Sequence, residues 1–151
     1  MKMAISIDLQ NESSLPSIPE TDHFSKWVMA SLQCSHDVLE QTIRIVDESE
    51  GRQLNRDYRG KDTATNVLAF PTESQWLDYE CLGDLVICAP VVAREAQEQG
   101  KTLEAHWAHL VVHGMLHLQG FDHQNSQECD EMEAEEIKIL DSLGYTNPYN
   151  D

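Results

Sequence analysis

A chain of 151 residues, 40% hydrophobic and 25% charged, suits one soluble domain with a real core and is too apolar to be wholly disordered. Its apolar runs are too short to span a bilayer, and the first residues carry no apolar leader, so no membrane role and a cytoplasmic location are expected. The net charge of −17 excludes a nonspecific nucleic-acid coat, because phosphate repels such a surface at long range.

Residues 3–9 alternate as a first strand would, and Asn11 to Pro19, rich in Ser and Pro, is a loop. Thr21 or Asp22 caps a helix running to about residue 33, with Phe24, Trp27, Val28 and Leu32 on one face. Val38 to Val46 reads as a strand, and Glu48 to Tyr58 as a short polar helix stopped at Gly60. That helix and its exit carry Arg52, Arg56, Arg59 and Lys61, four of the ten positive charges. They form either a solvated helix face or a local binding surface for anions. Thr65 to Phe70, ending at Pro71, fits an edge strand, and residues 72–79 a loop. Leu82 to Cys88 is a strand closed by Pro90; a helix then runs from Pro90 to Gln99, with Gly100 at its end. Thr102 caps the longest helix, Leu103 to Gln119, which Gly120 stops. The last helix, about Gln127 to Leu143, is acidic; Glu128 to Glu136 should be a solvated face beside an apolar seam of Met132, Ile137 and Leu140. The cysteines, at 34, 81, 88 and 129, form no C-x-x-C pair and are expected to be free thiols.

His113, Gly114, Met115, Leu116 and His117 lie in the longest helix. The two histidines are four apart, so their side chains share a face. Gly120 lets the chain turn back, which allows His123 to supply a third imidazole. Three neutral imidazoles around one ion leave a coordination position open for water, the arrangement of a catalytic rather than a structural zinc site. Imidazole suits zinc, nickel, copper and iron, with zinc the first expectation at one ion per chain. The apolar surroundings, Trp107, Leu110, Val111, Val112, Met115, Leu116 and Leu118, bury this helix, and buried imidazoles need partners. His106 and His109 extend the stripe in supporting or packing roles, since one ion cannot easily take three histidines spaced along one straight helix.

The spacing equals that of the zinc-protease motif H-E-x-x-H-x-x-G-x-x-H, but Gly114 stands where those proteases carry their glutamate base. Glycine moves no proton. Two routes remain: lowering the pKa of bound water, or Lewis-acid action on a phosphoryl oxygen. Phosphodiester cleavage also needs positive charge near the phosphorus, which Arg59 or a neighbour can supply. Asp122 either orients a ligand imidazole or is a turn residue, and Asp84 either points into the site or caps a turn. The expected architecture is α+β: one domain over 1–151, a small mixed β-sheet with packed helices, and a zincin-like central helix bearing the metal ligands.

His113 to His123 resembles the H-G-x-L-H-L-x-G-[YF]-D-H signature of the YbeY family of metal-dependent endoribonucleases. Asn55 to Asp62 with Thr65 to Pro71, and Leu82 to Ile87, resemble two further stretches of that family in the same order. Ala69, where serine is usual, and Phe121, where tyrosine is common, are mild departures. The resemblance implies a single-strand-specific endoribonuclease of ribosomal RNA maturation, notably near the small-subunit 3′ end, and of ribosome quality control. It implies zinc on His113, His117 and His123 and carries a functional arginine onto Arg59, with His113 as the second catalytic candidate. Arg52, Arg56, Arg59 and Lys61, as a basic cluster, are the candidate RNA contacts, and the acidic surface suits the ribosome or its basic proteins as partners. Two competing readings are a non-catalytic ribosome assembly factor with a structural zinc, and a zinc hydrolase of another class.

Overall fold

The computed structural model describes residues 4–14, 18–33, 38–71, 80–121 and 125–149. In chain order the elements are β1 (Ala4–Asn11), α1 (Thr21–Ser31), β2 (Val38–Val46), α2 (Glu48–Arg59), β3 (Val67–Pro71), β4 (Glu80–Cys88), α3 (Ala89–Gln99), α4 (Leu103–Leu118) and α5 (Ser126–Ser142). The strands form one mixed sheet in the order β1-β2-β4-β3. The β1/β2 and β2/β4 pairs are parallel, whereas β3 runs antiparallel on β4. The expected α+β class with a small mixed sheet is therefore correct, and the elements begin and end within a few residues of where the sequence puts them. The loop expected at residues 72–79 lies outside the described residues.

The sheet is covered on both faces, and its central strands show it. Ile43 and Ile45 of β2 and Leu85 and Ile87 of β4 point to one face, where Phe24, Trp27, Trp107, Val111, Met115 and Leu140 complete the main core. Val46, Val86 and Cys88 point to the other, where they meet Leu68 and Leu54. Strands buried on both faces need apolar residues at consecutive positions, hence the run Leu85-Val86-Ile87-Cys88. β1, at one edge, keeps simple alternation: Ile5, Ile7 and Leu9 are half-buried while Ser6, Asp8 and Gln10 are exposed. Thus α1, α4 and α5 lie on one side of the sheet and α2 on the other.

The longest helix is positioned by capping and by close approach. Thr102 Oγ1 accepts a hydrogen bond from the Ala105 N–H at 3.1 Å, satisfying one of the orphan donors of the first turn of α4. Phe24 packs edge-on against Trp107, with ring centroids 5.8 Å apart, and locks α1 to α4. At the other end the Gln119 amide donates to Ser31 O (2.9 Å) and accepts from Gln33 N (2.8 Å), tying the C-termini of α1 and α4 together. Gly114 lies where α4 meets the sheet: a Cβ there would stand 2.7 Å from Leu85 Cδ2 and 3.4 Å from Val67 Cγ2.

Candidate active site

The histidine stripe of α4 is the chemical feature of this fold. His106, His109, His113 and His117 follow one another at three- and four-residue spacing, and each of the first three has a carboxylate partner. His106 is buried; its Nε2 lies 2.9 Å from Glu95 Oε1, which also accepts from Asn66 Nδ2 at 3.0 Å. Burial holds the His106 pKa below the ordinary histidine value, with Glu95 opposing the shift. That bond ties α4 to α3 and to the entrance of β3, a structural role in keeping with the sequence reading.

His109 and His113 converge on Glu136 of α5. Its Oε1 lies 2.9 Å from His109 Nε2 and 3.1 Å from His113 Nδ1, and Tyr149 donates its hydroxyl to Oε2 at 2.9 Å. Burial alone would push the Glu136 pKa up; the hydrogen bonds and charges of His109 and His113 outweigh it and hold the carboxyl at about 2. The Tyr149 hydroxyl is pushed up by its own burial and by the Glu136 carboxylate.

This corrects the reading of the last helix. Glu136 is no part of a solvated face: its side chain is 1% exposed. The buried stripe is Met132, Glu136, Ile139 and Leu140, while Ile137 is only half-buried. The spacing i, i+4, i+7, i+8 from Met132 passes through 136 rather than 137, and a carboxylate is stable there because three donors meet it. That periodicity, set against a histidine-rich partner helix, was the signal available in the sequence.

His113 and His117 stand one turn apart on α4, both half-buried. His123 and Asp122 lie outside the described residues. Among the described residues, no group of three His, Cys, Asp or Glu side chains is gathered as for a metal ion. Two imidazoles four residues apart on one helix nevertheless fit zinc by their donor chemistry.

Asp84 requires a second correction. A Cβ on Gly83 would stand 2.9 Å from Leu118 Cδ2 of α4, and Leu85 packs beneath Gly114, so both neighbours face α4. Strand alternation therefore turns Asp84 to the opposite face. There it lines a groove of about 540 Å³ with Thr42, Arg44, Tyr58 and Phe70, and it does not stand beside the histidines.

The basic cluster divides into two pairs. Arg52 makes a bidentate pair with Asp62 (2.8 and 2.8 Å), and Arg56 approaches the same carboxylate at 3.9 Å. Arg59, the last residue of α2, and Lys61 are exposed and form no ion pair among the described residues. Gly60 caps the helix with φ +73°, and its N–H bonds to Arg56 O at 3.1 Å. The α2 end reaches Phe70, with Tyr58 and Phe70 ring centroids 5.0 Å apart, and the α4 end reaches Gly83 through Leu118. Phe70 pairs with Asp84 and Pro71 with Gly83. Arg59 and His117 therefore stand at the same end of the β3–β4 pair, on opposite faces of it.

The sequence profile of the family described as "Endoribonuclease YbeY" matches residues 8–144. A relative from Pseudomonas entomophila (strain L48), named Endoribonuclease YbeY, is 52% identical over 149 residues, covering 97% of this chain and 94% of its own. The chain belongs to the YbeY endoribonuclease family. The YbeY match takes in every described element that carries a candidate site residue, from α2 to α5. The solution structure of TM1509 from Thermotoga maritima shares the fold, with a TM-score of 0.55 at 22% identity over 97% of each chain. A YbeY endoribonuclease is a hydrolase of RNA phosphodiester bonds. No helix among the described residues is long and apolar enough to cross a membrane. Cys88 and Cys129 are free thiols, as expected; Cys34 lies outside the described residues, and of the Cys81 side chain nothing is described.

Proposed function

We propose that this protein is a zinc-dependent, single-strand-specific endoribonuclease that matures ribosomal RNA near the small-subunit 3′ end and serves ribosome quality control in the cytoplasm, with the ribosome or ribosomal proteins as partners. The observation that carries this reading is family membership across residues 8–144 together with His113 and His117 on one helix face. Under it His113, His117 and His123 hold one zinc ion on a zincin-like helix, and Asp122 supports a ligand ring. When bound there, zinc acidifies water and draws electron density from a phosphoryl oxygen.

The chain's own residues do the rest. Arg59 and Lys61 bind the RNA backbone, and Arg59 offsets negative charge building on the phosphate. Arg52 and Arg56, tied to Asp62, shape the same surface more than they bind phosphate. Because α2 and α4 lie on opposite faces, an RNA strand touching Arg59 and reaching His113 passes round the outer edge of β3. A strand bent in this way has to be single, since a duplex is far stiffer. Gly114 opposes peptidase chemistry: a glutamate there would enter the core against Leu85 and Val67.

The test incubates purified protein with single-stranded and duplex RNA, with and without a chelator, beside Arg59→Ala. Cleavage is expected only of single strands, lost on chelation, restored by zinc, and reduced about 10²–10³-fold by Arg59→Ala if the arginine stabilises transition-state charge. Metal-independent cleavage, or full activity in Arg59→Ala, contradicts the reading. A folded protein that supports RNA maturation after loss of His113 favours the assembly-factor alternative.

A further inference from the structure

Glu136 occupies a place where a charged side chain needs a reason. It sits in the apolar stripe by which α5 docks on α4, and a leucine or methionine would fill the same volume without a charge to satisfy. Its carboxylate instead collects three donors: His109 Nε2 and His113 Nδ1 on Oε1, and the Tyr149 hydroxyl on Oε2. An ionised carboxylate can only accept, so the ring nitrogens facing it each carry hydrogen. In a neutral His113 ring, Nδ1–H places the lone pair on Nε2, at the far side of the ring from Glu136. The His113 side chain is 28% exposed.

We propose that Glu136 is a positioning residue for His113: it fixes the Nδ1–H tautomer and the ring plane, so that Nε2 is presented for coordination. His109 and Tyr149 hold Glu136 in turn, His109 on Oε1 and Tyr149 on Oε2, and the two groups also touch each other at 3.3 Å. His109 acts through the carboxylate and coordinates nothing: its Nε2 faces Glu136, and its Nδ1 is buried with no hydrogen-bond partner among the described residues. The role rests on His113 being a zinc ligand, and it places the orienting carboxylate on α5, 23 residues away in sequence from the histidine it serves. A ligand ring held by a carboxylate loses little orientational freedom on binding the metal, and its donor nitrogen becomes more basic.

The experiment uses the full-length chain freed of metal. Nitrogen-15 NMR of the imidazoles reads the tautomer directly, and competition against a chelating dye reads zinc affinity in wild type, Glu136→Gln, Tyr149→Phe and His113→Ala. The apo wild type is expected to carry the His113 proton on Nδ1. Glu136→Gln should bind zinc about 10–100-fold more weakly, and Tyr149→Phe a few-fold more weakly. A merely structural role would lower thermal stability in these variants and leave zinc affinity within about twofold, which overturns the proposal. An Nε2–H tautomer in the wild type also overturns it, and that measurement decides the question should Glu136→Gln fail to fold. Unchanged zinc binding in His113→Ala would remove the metal reading itself. Zinc lost in His113→Ala but held by both other variants would remove only the role of Glu136.

Discussion

A glutamate at position 114 would have to push its first carbon to within 2.7 Å of Leu85 and carry a charge into the space beside Val67. Leu85 is fully buried, so the carboxylate would find no water there. Gly114→Glu is therefore expected to destabilise the protein by at least about 3 kcal/mol, measured by urea unfolding, without adding peptidase activity. A stable, peptide-cleaving Gly114→Glu would show that packing does not set this residue. At this scale the sequence was informative where chemistry repeats along one helix, as with His113 and His117. It was less informative where a role depends on a partner from another element. The sequence leaves Asp84 open between the site and a turn, and only the packing of Leu85 against α4 turns it to the other face; Glu136 reads as one solvated acid among many, and only its contacts with two histidines and a tyrosine set it apart.

Among elements, α4 carries a histidine whose titration couples to folding near neutral pH. His106 is buried on it, and burial holds its pKa below the ordinary value. As pH falls below about 6.5, the unfolded chain protonates this ring while the folded protein resists. The unfolded state then binds more protons, so stability falls with pH in that window, by up to about 1.4 kcal/mol per pH unit for one group. Urea unfolding at pH 7.5 and 5.5 should show wild type losing more stability than His106→Asn; equal losses would mean that His106 is protonated in the fold. The helices and strands themselves were largely legible because each has its own period and punctuation. Thr102 and Gly100 mark the turn between α3 and α4 in the sequence, and both cap as expected. The order β1-β2-β4-β3, with β3 reversed, was not legible, because strand pairing across tens of residues leaves no local pattern.

At the level of the whole molecule, the sheet is the partition that organises function. It sets the α4 histidines on one face and the α2 cations on the other, and brings both to the same end of the β3–β4 pair. In a chain of net charge −17, the exposed pair Arg59 and Lys61 is a local exception, and under the proposed function it draws a phosphate backbone to that end. All of this serves chemistry only if the histidine end of α4 carries an ion. Metal analysis by mass spectrometry of the protein, purified without chelator, tests that most directly. The expected result is one zinc per chain in the wild type and none in folded His117→Ala; a wild type free of metal, or a His117→Ala protein that keeps its full zinc content, would contradict it.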